Sequence, residues 1–336
     1  MNMEYRRLGA SGLEVSPICL GTMMFGDRTD AATAHRIVDC AWDAGINFID
    51  TADAYAGGTS EQIVGAAIKS NRRRWILATK VANVLTTKPH DGGLSRRWIL
   101  QACDDSLARL GTDHIDLYYL HKDDLQTPVA ETVGAIGNLI TSGKIRYFGV
   151  SNFRGWRIAE VVSECEAQGV PGPVACQPYY NLLNRQPEIE VLPACDYYGI
   201  GVAAYSPIAR GVLTGKYRGG AMPGDSRIGR GDRRMMETEN RMESLAIAQT
   251  LGAHAEATGR TLTQFALAWL WANQIVTSVI AGPRTLEQWQ DYVDAVGTPW
   301  SPEDEALVDS LVTPGHPSTP GYNDPQYPIL GRICGN

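Results

Sequence analysis

Phe48-Ile49-Asp50-Thr51-Ala52-Asp53-Ala54-Tyr55 is the stretch on which the reading of this chain turns. An apolar run ends in a carboxylate, and a short loop of small residues then presents a tyrosine. Two later runs stop in the same manner, Trp75-Ile76-Leu77-Ala78-Thr79 at Lys80 and Ile115-Asp116-Leu117-Tyr118-Tyr119-Leu120 at His121. An acid, a phenol, an amine and an imidazole thus fall where three successive buried strands run out. Strand ends are where a parallel barrel keeps its chemistry, so the four groups are read as one proton-transfer site.

The flanking sequence supports a barrel. Before the key stretch, Tyr5 to Val15 reads as a short hairpin around Gly9 and Ser11-Gly12, followed by a brief strand over 17–21. Asp30 caps a helix running to about Ala44, with Gly45 as its stop. After it, Ser60 is a plausible cap for a helix over 60–69. Strands over 75–80, 115–120, 145–150, 174–177 and 200–205 alternate with helices near 95–109, 128–141, 154–168 and 187–198. A polar, Gly- and Arg-rich segment, roughly 215–235, interrupts the pattern. Helices near 239–258 and 262–273, an eighth strand over 276–281, and helices over 285–296 and from Ser301-Pro302 to about Val312 complete it. The tail, carrying Pro314, Pro317, Pro320, Pro325 and Pro328, reads as irregular chain on the surface or over a mouth.

Eight short apolar strands alternating with helices argue for a (β/α)8 TIM barrel with an N-terminal β-hairpin, extra helices and a long C-terminal tail. The expectation is one domain over residues 1–336, with the barrel over about 16–298 and the last helix and tail over 299–336. A doubly wound nucleotide-binding sheet is the competitor. No G-x-G-x-x-G follows the first strand, where such a sheet needs glycines for its phosphate turn.

Bulk properties exclude several classes. The chain has 336 residues, 44% hydrophobic and 20% charged, a normal globular balance with room for a sizeable core. A net charge of −7 without a long basic block argues against nucleic acid. No signal peptide and no bilayer-spanning run is legible, so a cytoplasmic location and no membrane partner are expected. Seven cysteines (Cys19, Cys40, Cys103, Cys165, Cys176, Cys195, Cys334) stand singly, which fits free thiols in a reducing compartment. Six histidines (His35, His90, His114, His121, His254, His316) show no ligand spacing, so no metal is expected. Gly149-Val-Ser-Asn-Phe153 lacks the closing glycine of a hydrolase nucleophile elbow.

The four strand-end groups can work together. A tyrosine has an unperturbed pKa near ~10, and a neighbouring ammonium stabilises its phenolate. Lys80 supplies the ammonium, Asp50 holds Lys80 charged, and His121 donates to a carbonyl oxygen or relays the proton. Tyr55 is then a general acid, a role worth roughly 10²–10⁴-fold in rate. Each residue alone has a plainer reading: Asp50 as a turn cap, Lys80 as a solvated lysine, Tyr55 as surface, His121 as structural. Their coincidence at successive strand ends favours the chemical reading. Asp53 takes no part in the set and is read as a loop-structuring carboxylate.

Several motifs in order carry a family resemblance. They are Tyr5-Arg-Arg-Leu-Gly-Ala-Ser-Gly-Leu13 with Leu20-Gly-Thr22, Asp50-Thr-Ala-Asp-Ala-Tyr55, and Gly143-Lys-Ile-Arg-Tyr-Phe-Gly-Val-Ser-Asn152. Gln177-Pro-Tyr-Tyr-Asn181, Tyr205-Ser-Pro207 and Gly211-Val-Leu-Thr-Gly-Lys216 follow. Over roughly residues 3–312 the chain resembles an aldo-keto reductase, and within that family the bacterial and potassium-channel β-subunit branch. The resemblance implies a catalytic tetrad of Asp50, Tyr55, Lys80 and His121. It also implies NADPH (NADP+), with NADH the alternative, lying extended across the barrel mouth without a Rossmann fold. Gly21, Thr22, Met23 and Asp50 would be among the cofactor contacts. Ser151, Asn152 and Gln177 would hold the carboxamide, and Tyr205 would stack on the ring. Ser206, Pro207, Ile208, Arg210, Gly211, Leu213 and Lys216 would line the pyrophosphate, with Arg227 from the Arg-rich segment nearby. Gly282, Arg284 and Gln288 would meet the adenosine end.

Chemistry independently favours part of this. The turn after strand eight leads into a helix N-terminus, which suits an anion, and Arg284 can fork onto a phosphate. An arginine at the 2′-phosphate position favours NADPH. One departure stands four residues after Gln288, where the family often has asparagine and this chain has Tyr292. Arg218 to Arg234 is either a solvated loop or a flap near the phosphates, with Arg227, Arg230 and Arg233 supplying charge.

The expected activity is reduction of an aldehyde or ketone, with hydride from the nicotinamide and the proton from Tyr55. Met24, Phe25, Tyr55, Val84 and His121 are the candidate substrate contacts, with Leu85, Tyr322 and Tyr327 near them. This apolar and aromatic set suits an uncharged, bulky or cyclic carbonyl compound. Two other classes remain open: a cofactor-binding sensor barrel like the channel β-subunits, and a Schiff-base aldolase using Lys80.

Overall fold

The computed structural model describes residues 3–331. A two-residue hairpin, β1 (Arg6–Arg7) and β2 (Glu14–Val15), pairs antiparallel with Arg6 opposite Val15. Eight parallel strands follow: β3 (Ile18–Gly21), β4 (Phe48–Asp50), β5 (Ile76–Val81), β6 (Ile115–Leu120), β7 (Ile145–Ser151), β8 (Ala175–Gln177), β9 (Gly201–Tyr205) and β10 (Val276–Ala281). They pair in chain order, and β10 closes onto β3 through Val279 opposite Ile18. The barrel is therefore closed, and the doubly wound alternative falls.

Apolar side chains divide into two layers. The larger lies between strands and surrounding helices and includes Ile37, Val64, Ile99, Ile136, Phe265 and Trp289. The smaller fills the barrel interior with Cys19, Phe48, Ala78, Leu117, Tyr119, Ala175, Ala203 and Ile280. Leu8 and Val15 of the hairpin join this inner layer, so the hairpin plugs the end of the barrel where the strands begin. Gly9 permits the plug: a Cβ there would lie 2.5 Å from the Gly201 backbone nitrogen, and its φ is +57°.

Local signals mostly predict the elements. Asp30 caps helix Ala31–Asp43 by accepting from the Thr33 N–H. Strands β6 and β10 occupy the residues read from the sequence. Ser60 differs from expectation. Helix Thr59–Ile68 starts after Gly58, in left-handed geometry at φ 91°, and Ser60 lies inside it. The buried Ser60 hydroxyl donates to the Thr22 carbonyl at 2.8 Å and lies 2.9 Å from the hydroxyls of Thr22 and Thr51. It ties the helix to the ends of β3 and β4 instead of capping it. The helix expected over 187–198 is split by Glu190 into a 3-10 turn at Gln186–Glu188 and helix Val191–Tyr197.

The Arg-rich segment carries a short helix, Arg233–Thr238. The tail crosses the mouth. Its Ser318 N–H donates to the Leu183 carbonyl, and the Gln186 amide donates to the Tyr322 carbonyl at 3.2 Å. Arg234 forks onto Asp324 at 3.0 and 2.6 Å, and Arg154 donates to the Tyr327 carbonyl at 3.2 Å. Six cysteines (Cys19, Cys40, Cys103, Cys165, Cys176, Cys195) are free thiols, and Cys334 lies outside the described residues. Among the described residues no helix is long and apolar enough to cross a membrane.

Candidate active site

Strand register builds the site. Asp50 aligns with Ala78, and Lys80, two residues further along β5, faces the same side of the barrel wall. Lys80 aligns in turn with Tyr119, two residues before His121. Tyr55 arrives differently. Beyond β4, Ala56, Gly57 and Gly58 all have positive φ (48°, 61° and 91°), and this tight turn returns the chain into helix Thr59–Ile68 with the phenol held over Lys80. Glu61 anchors the returning helix. It is fully buried, accepting from the Thr79 hydroxyl at 2.5 Å and from Arg109 at 2.6 Å.

The four residues read as a tetrad meet. Lys80 Nζ donates to Asp50 Oδ1 at 2.5 Å, the Thr51 carbonyl at 2.7 Å and Tyr55 Oη at 3.2 Å. All three ammonium protons are used. The second Asp50 oxygen accepts from Gln177 Nε2 at 3.0 Å. The Tyr55 and His121 rings stand edge to face, with centroids 5.9 Å apart.

Burial governs the protonation states. It pushes the Asp50 carboxyl up against the opposing pull of Lys80. It also disfavours the Lys80 ammonium, but the Asp50 and Tyr55 oxygens outweigh it and hold the lysine pKa above its ordinary value. The phenol departs from the simple expectation of a lowered pKa: burial pushes Tyr55 up and Lys80 offsets this only in part. Tyr55 therefore stands protonated beside a cation that would stabilise its phenolate. His121 is driven well down by burial and then by Lys80, so its imidazole is neutral.

Asn83 completes this geometry. Its Nδ2 lies 2.8 Å from His121 Nδ1. An amide N–H only donates, so Nδ1 accepts and the imidazole proton sits on Nε2. Ala82, at φ 123°, bends the chain just beyond β5 to aim Asn83 there. Nothing in the sequence singled out Asn83, for it belongs to no motif and gains its role only by convergence.

The residues read for the nicotinamide end form a connected network. Ser151 Oγ donates to the Gln177 carbonyl at 2.8 Å. Asn152, at φ 59°, donates to the His121 carbonyl at 2.9 Å, and Tyr205 Oη donates to Asn152 Oδ1 at 2.8 Å. Gly21 and Thr22 are buried at the end of β3, next to Asp50 in register. Met23 is exposed and Met24 nearly buried, whereas Phe25 has no exposed surface and packs into the outer core, so it presents none to a substrate. Val84 is exposed.

Past β9, Ser206, Ala209 and Arg210 have positive φ, a turn that gathers Pro207, Ile208, Gly211 and Leu213. Arg210 Nε donates to Thr238 Oγ1 at 3.1 Å. Lys216 makes no ion pair among the described residues, and its ammonium is held below its ordinary pKa by burial and then by Arg284 and Arg227. Arg227 pairs with Asp232 at 2.9 Å, and Arg284 reaches Asp225 at 3.3 Å. The Arg-rich segment thus touches the turn after β10 through Asp225. At that turn Gln288 Oε1 accepts from the Arg284 N–H and Thr285 Oγ1 accepts from the Gln288 N–H, so one donor ahead of the helix and one in its first turn are taken internally. Gly282 leaves open space, since a Cβ there would meet only the Gly21 carbonyl at 3.6 Å. Tyr292 is almost fully buried in the outer core.

The profile of the aldo/keto reductase family matches residues 17–313. An uncharacterized oxidoreductase, YrpG, of Bacillus subtilis is 40% identical over 306 residues, covering 88% of this chain and 91% of its own. A probable voltage-gated potassium channel subunit beta of Arabidopsis thaliana is 37% identical, with 88% and 91% covered. The L-glyceraldehyde 3-phosphate reductase of Escherichia coli is 32% identical, with 93% of each chain covered. With nearly the whole barrel matched, the chain belongs to the aldo/keto reductase family.

Proposed function

We propose that this chain is an NADPH-dependent reductase of aldehydes or ketones. The observation that carries the reading is the Lys80 ammonium, which spends its three protons on Asp50, Thr51 and Tyr55. Bound NADPH would supply the hydride to the carbonyl carbon. Tyr55 gives its proton to the carbonyl oxygen, and Lys80 stabilises the phenolate left behind. His121 presents its Nε2–H to the same oxygen and polarises the bond. The product is the alcohol, and solvent reprotonates Tyr55.

The donor set fits a phosphorylated dinucleotide. Lys216 has no ion-pair partner among the described residues and feels the charges of Arg284 and Arg227, an arrangement that an anion would relieve. Ser206, Arg210 and Gly211 would hold the pyrophosphate, Arg284 and Gln288 the adenosine phosphate end, and Tyr205 with Asn152 and Gln177 the nicotinamide.

Oxidation of NADPH measured over a panel of aldehydes and cyclic ketones tests the reading. Turnover that Tyr55→Phe reduces by about 10²-fold or more, with NADPH binding retained, supports it. Tight NADPH binding without turnover of any carbonyl sinks it and favours a sensor barrel, the reading suggested by the resemblance to channel beta subunits. The Schiff-base reading is disfavoured because a nucleophilic lysine must give up the proton that Lys80 shares with Asp50.

A further inference from the structure

Asp53 lies three residues beyond Asp50 and two before Tyr55, and the residue is 1% exposed. Among the described residues neither carboxylate oxygen has a well-formed hydrogen bond, and the one backbone donor that favours its charge is the N–H of its chain neighbour Ala54. Its backbone N–H points at the Lys80 carbonyl, 3.4 Å away. A loop-structuring carboxylate accepts well-aligned bonds from the turn it organises, whereas Asp53 has only the weak contact from the Ala54 N–H.

Charge counting around the loop explains the arrangement. Asp50 has Lys80, and Glu61 has Arg109, each pair in direct contact. Three carboxyl groups thus face two cations, and Asp53 is the one left over. The groups around it are Glu61 on the following helix, Arg109 on helix Arg96–Leu110, Lys80 on β5, and Tyr55 on its own loop. Tyr118 on β6 adds a buried hydroxyl that lacks a partner among the described residues. A charge buried without a partner is costly, and such a group takes up a proton instead. Burial, with the Glu61 charge adding to it, pushes the Asp53 carboxyl up to about 7.

We propose that Asp53 is a neutral carboxylic acid behind the tetrad and a positioning residue for proton donation, whose ionisation draws on Lys80 and weakens Tyr55 as an acid. The consequence rests on the reductase reading. While Asp53 is neutral, Lys80 faces one carboxylate and can stabilise the Tyr55 phenolate. Once Asp53 ionises, Lys80 is shared between two carboxylates and the phenolate is opposed by one more negative charge.

The test compares the whole protein with Asp53→Asn, which keeps the shape and removes the titration. With NADPH and 4-nitrobenzaldehyde, wild-type kcat should fall by about threefold as pH rises from about 6 to about 8.5, while the variant stays level. Parallel falls in both proteins overturn the proposal. Stability supplies a readout that needs no turnover. A carboxyl raised in the folded state keeps its proton while the unfolded chain loses one, so wild-type stability declines from about pH 4 to about pH 7. The Tm advantage of Asp53→Asn should therefore widen with pH over that range, and a constant gap overturns the proposal. Infrared spectroscopy of wild type labelled at aspartate should show a protonated carboxyl band at about pH 6 that fades by about pH 8. Its absence overturns the proposal even if the variant fails to fold. Should no carbonyl be reduced, the reductase reading fails, and the infrared band and Tm gap still decide whether Asp53 is neutral.

Discussion

Asn83 Nδ2 stands 2.8 Å from His121 Nδ1, and this one contact decides which imidazole nitrogen faces the site with a proton. Removing it with Asn83→Ala should free both tautomers. The expected result is a fall of about tenfold in kcat with little change in Tm. Nitrogen NMR of His121 should report the Nε2–H tautomer in the wild type and a mixture in the variant.

The Asp50–Lys80 pair is completely enclosed, so its two halves depend on each other. Lys80→Met should abolish reduction and destabilise the fold by about 3–5 kcal/mol, because it strands a buried carboxylate. Asp50→Asn combined with Lys80→Met should recover much of that stability and none of the activity. Chemical denaturation of the single and double variants measures both effects.

Arg109 is expected to matter although it touches none of the tetrad. Its partner Glu61 is fully buried, so Arg109→Met leaves a carboxylate without its cation under the Tyr55 turn. A loss of about 3 kcal/mol in unfolding free energy is expected. A drop in kcat larger than that in substrate affinity would show that the Tyr55 turn has loosened.

Acid stability should depend on Asp304. Its two oxygens accept from Arg260 at 2.9 and 2.6 Å and from His254 at 2.7 Å. Burial opposes the charge, but these donors and the Ser301 N–H hold the carboxyl well below its usual range. A carboxyl depressed in the folded state stabilises above its unfolded pKa of ~3.9 and loses that contribution as pH falls below it. Wild-type Tm should therefore fall on acidification below about pH 4, and the Tm of Asp304→Asn should be lower near neutrality and change less.

If Arg284 meets the adenosine phosphate, Arg284→Ala should raise KM for NADPH by about tenfold or more and leave KM for NADH almost unchanged. Equal changes for the two cofactors would remove Arg284 from cofactor choice.

The sequence carried the barrel because each strand is a short apolar run with a polar residue at its end, as β6 ending before His121 illustrates. It carried the tetrad because those residues share one local position, the strand exit. It did not carry Asn83, whose role depends on the bend at Ala82, or the Glu61–Arg109 pair, whose members lie 48 residues apart. Ser60 was misread because a serine near a helix start resembles a cap, whereas here its hydroxyl is spent on Thr22. The rise in the Tyr55 pKa was hidden for a related reason. Sequence reveals the neighbouring lysine, but the depth of burial appears only in the fold.

The tail and the Arg-rich segment share a fastening at Asp324 and Arg234. The same tail brings Tyr327 close enough for its phenol to sense Tyr55. One stretch of chain therefore borders the chemistry and holds the segment that folds toward the Arg284 turn. On the proposed reading, trimming or randomising the tail to widen substrate scope should change KM for NADPH as well. Libraries that retain Asp324 while varying its neighbours would separate these two traits.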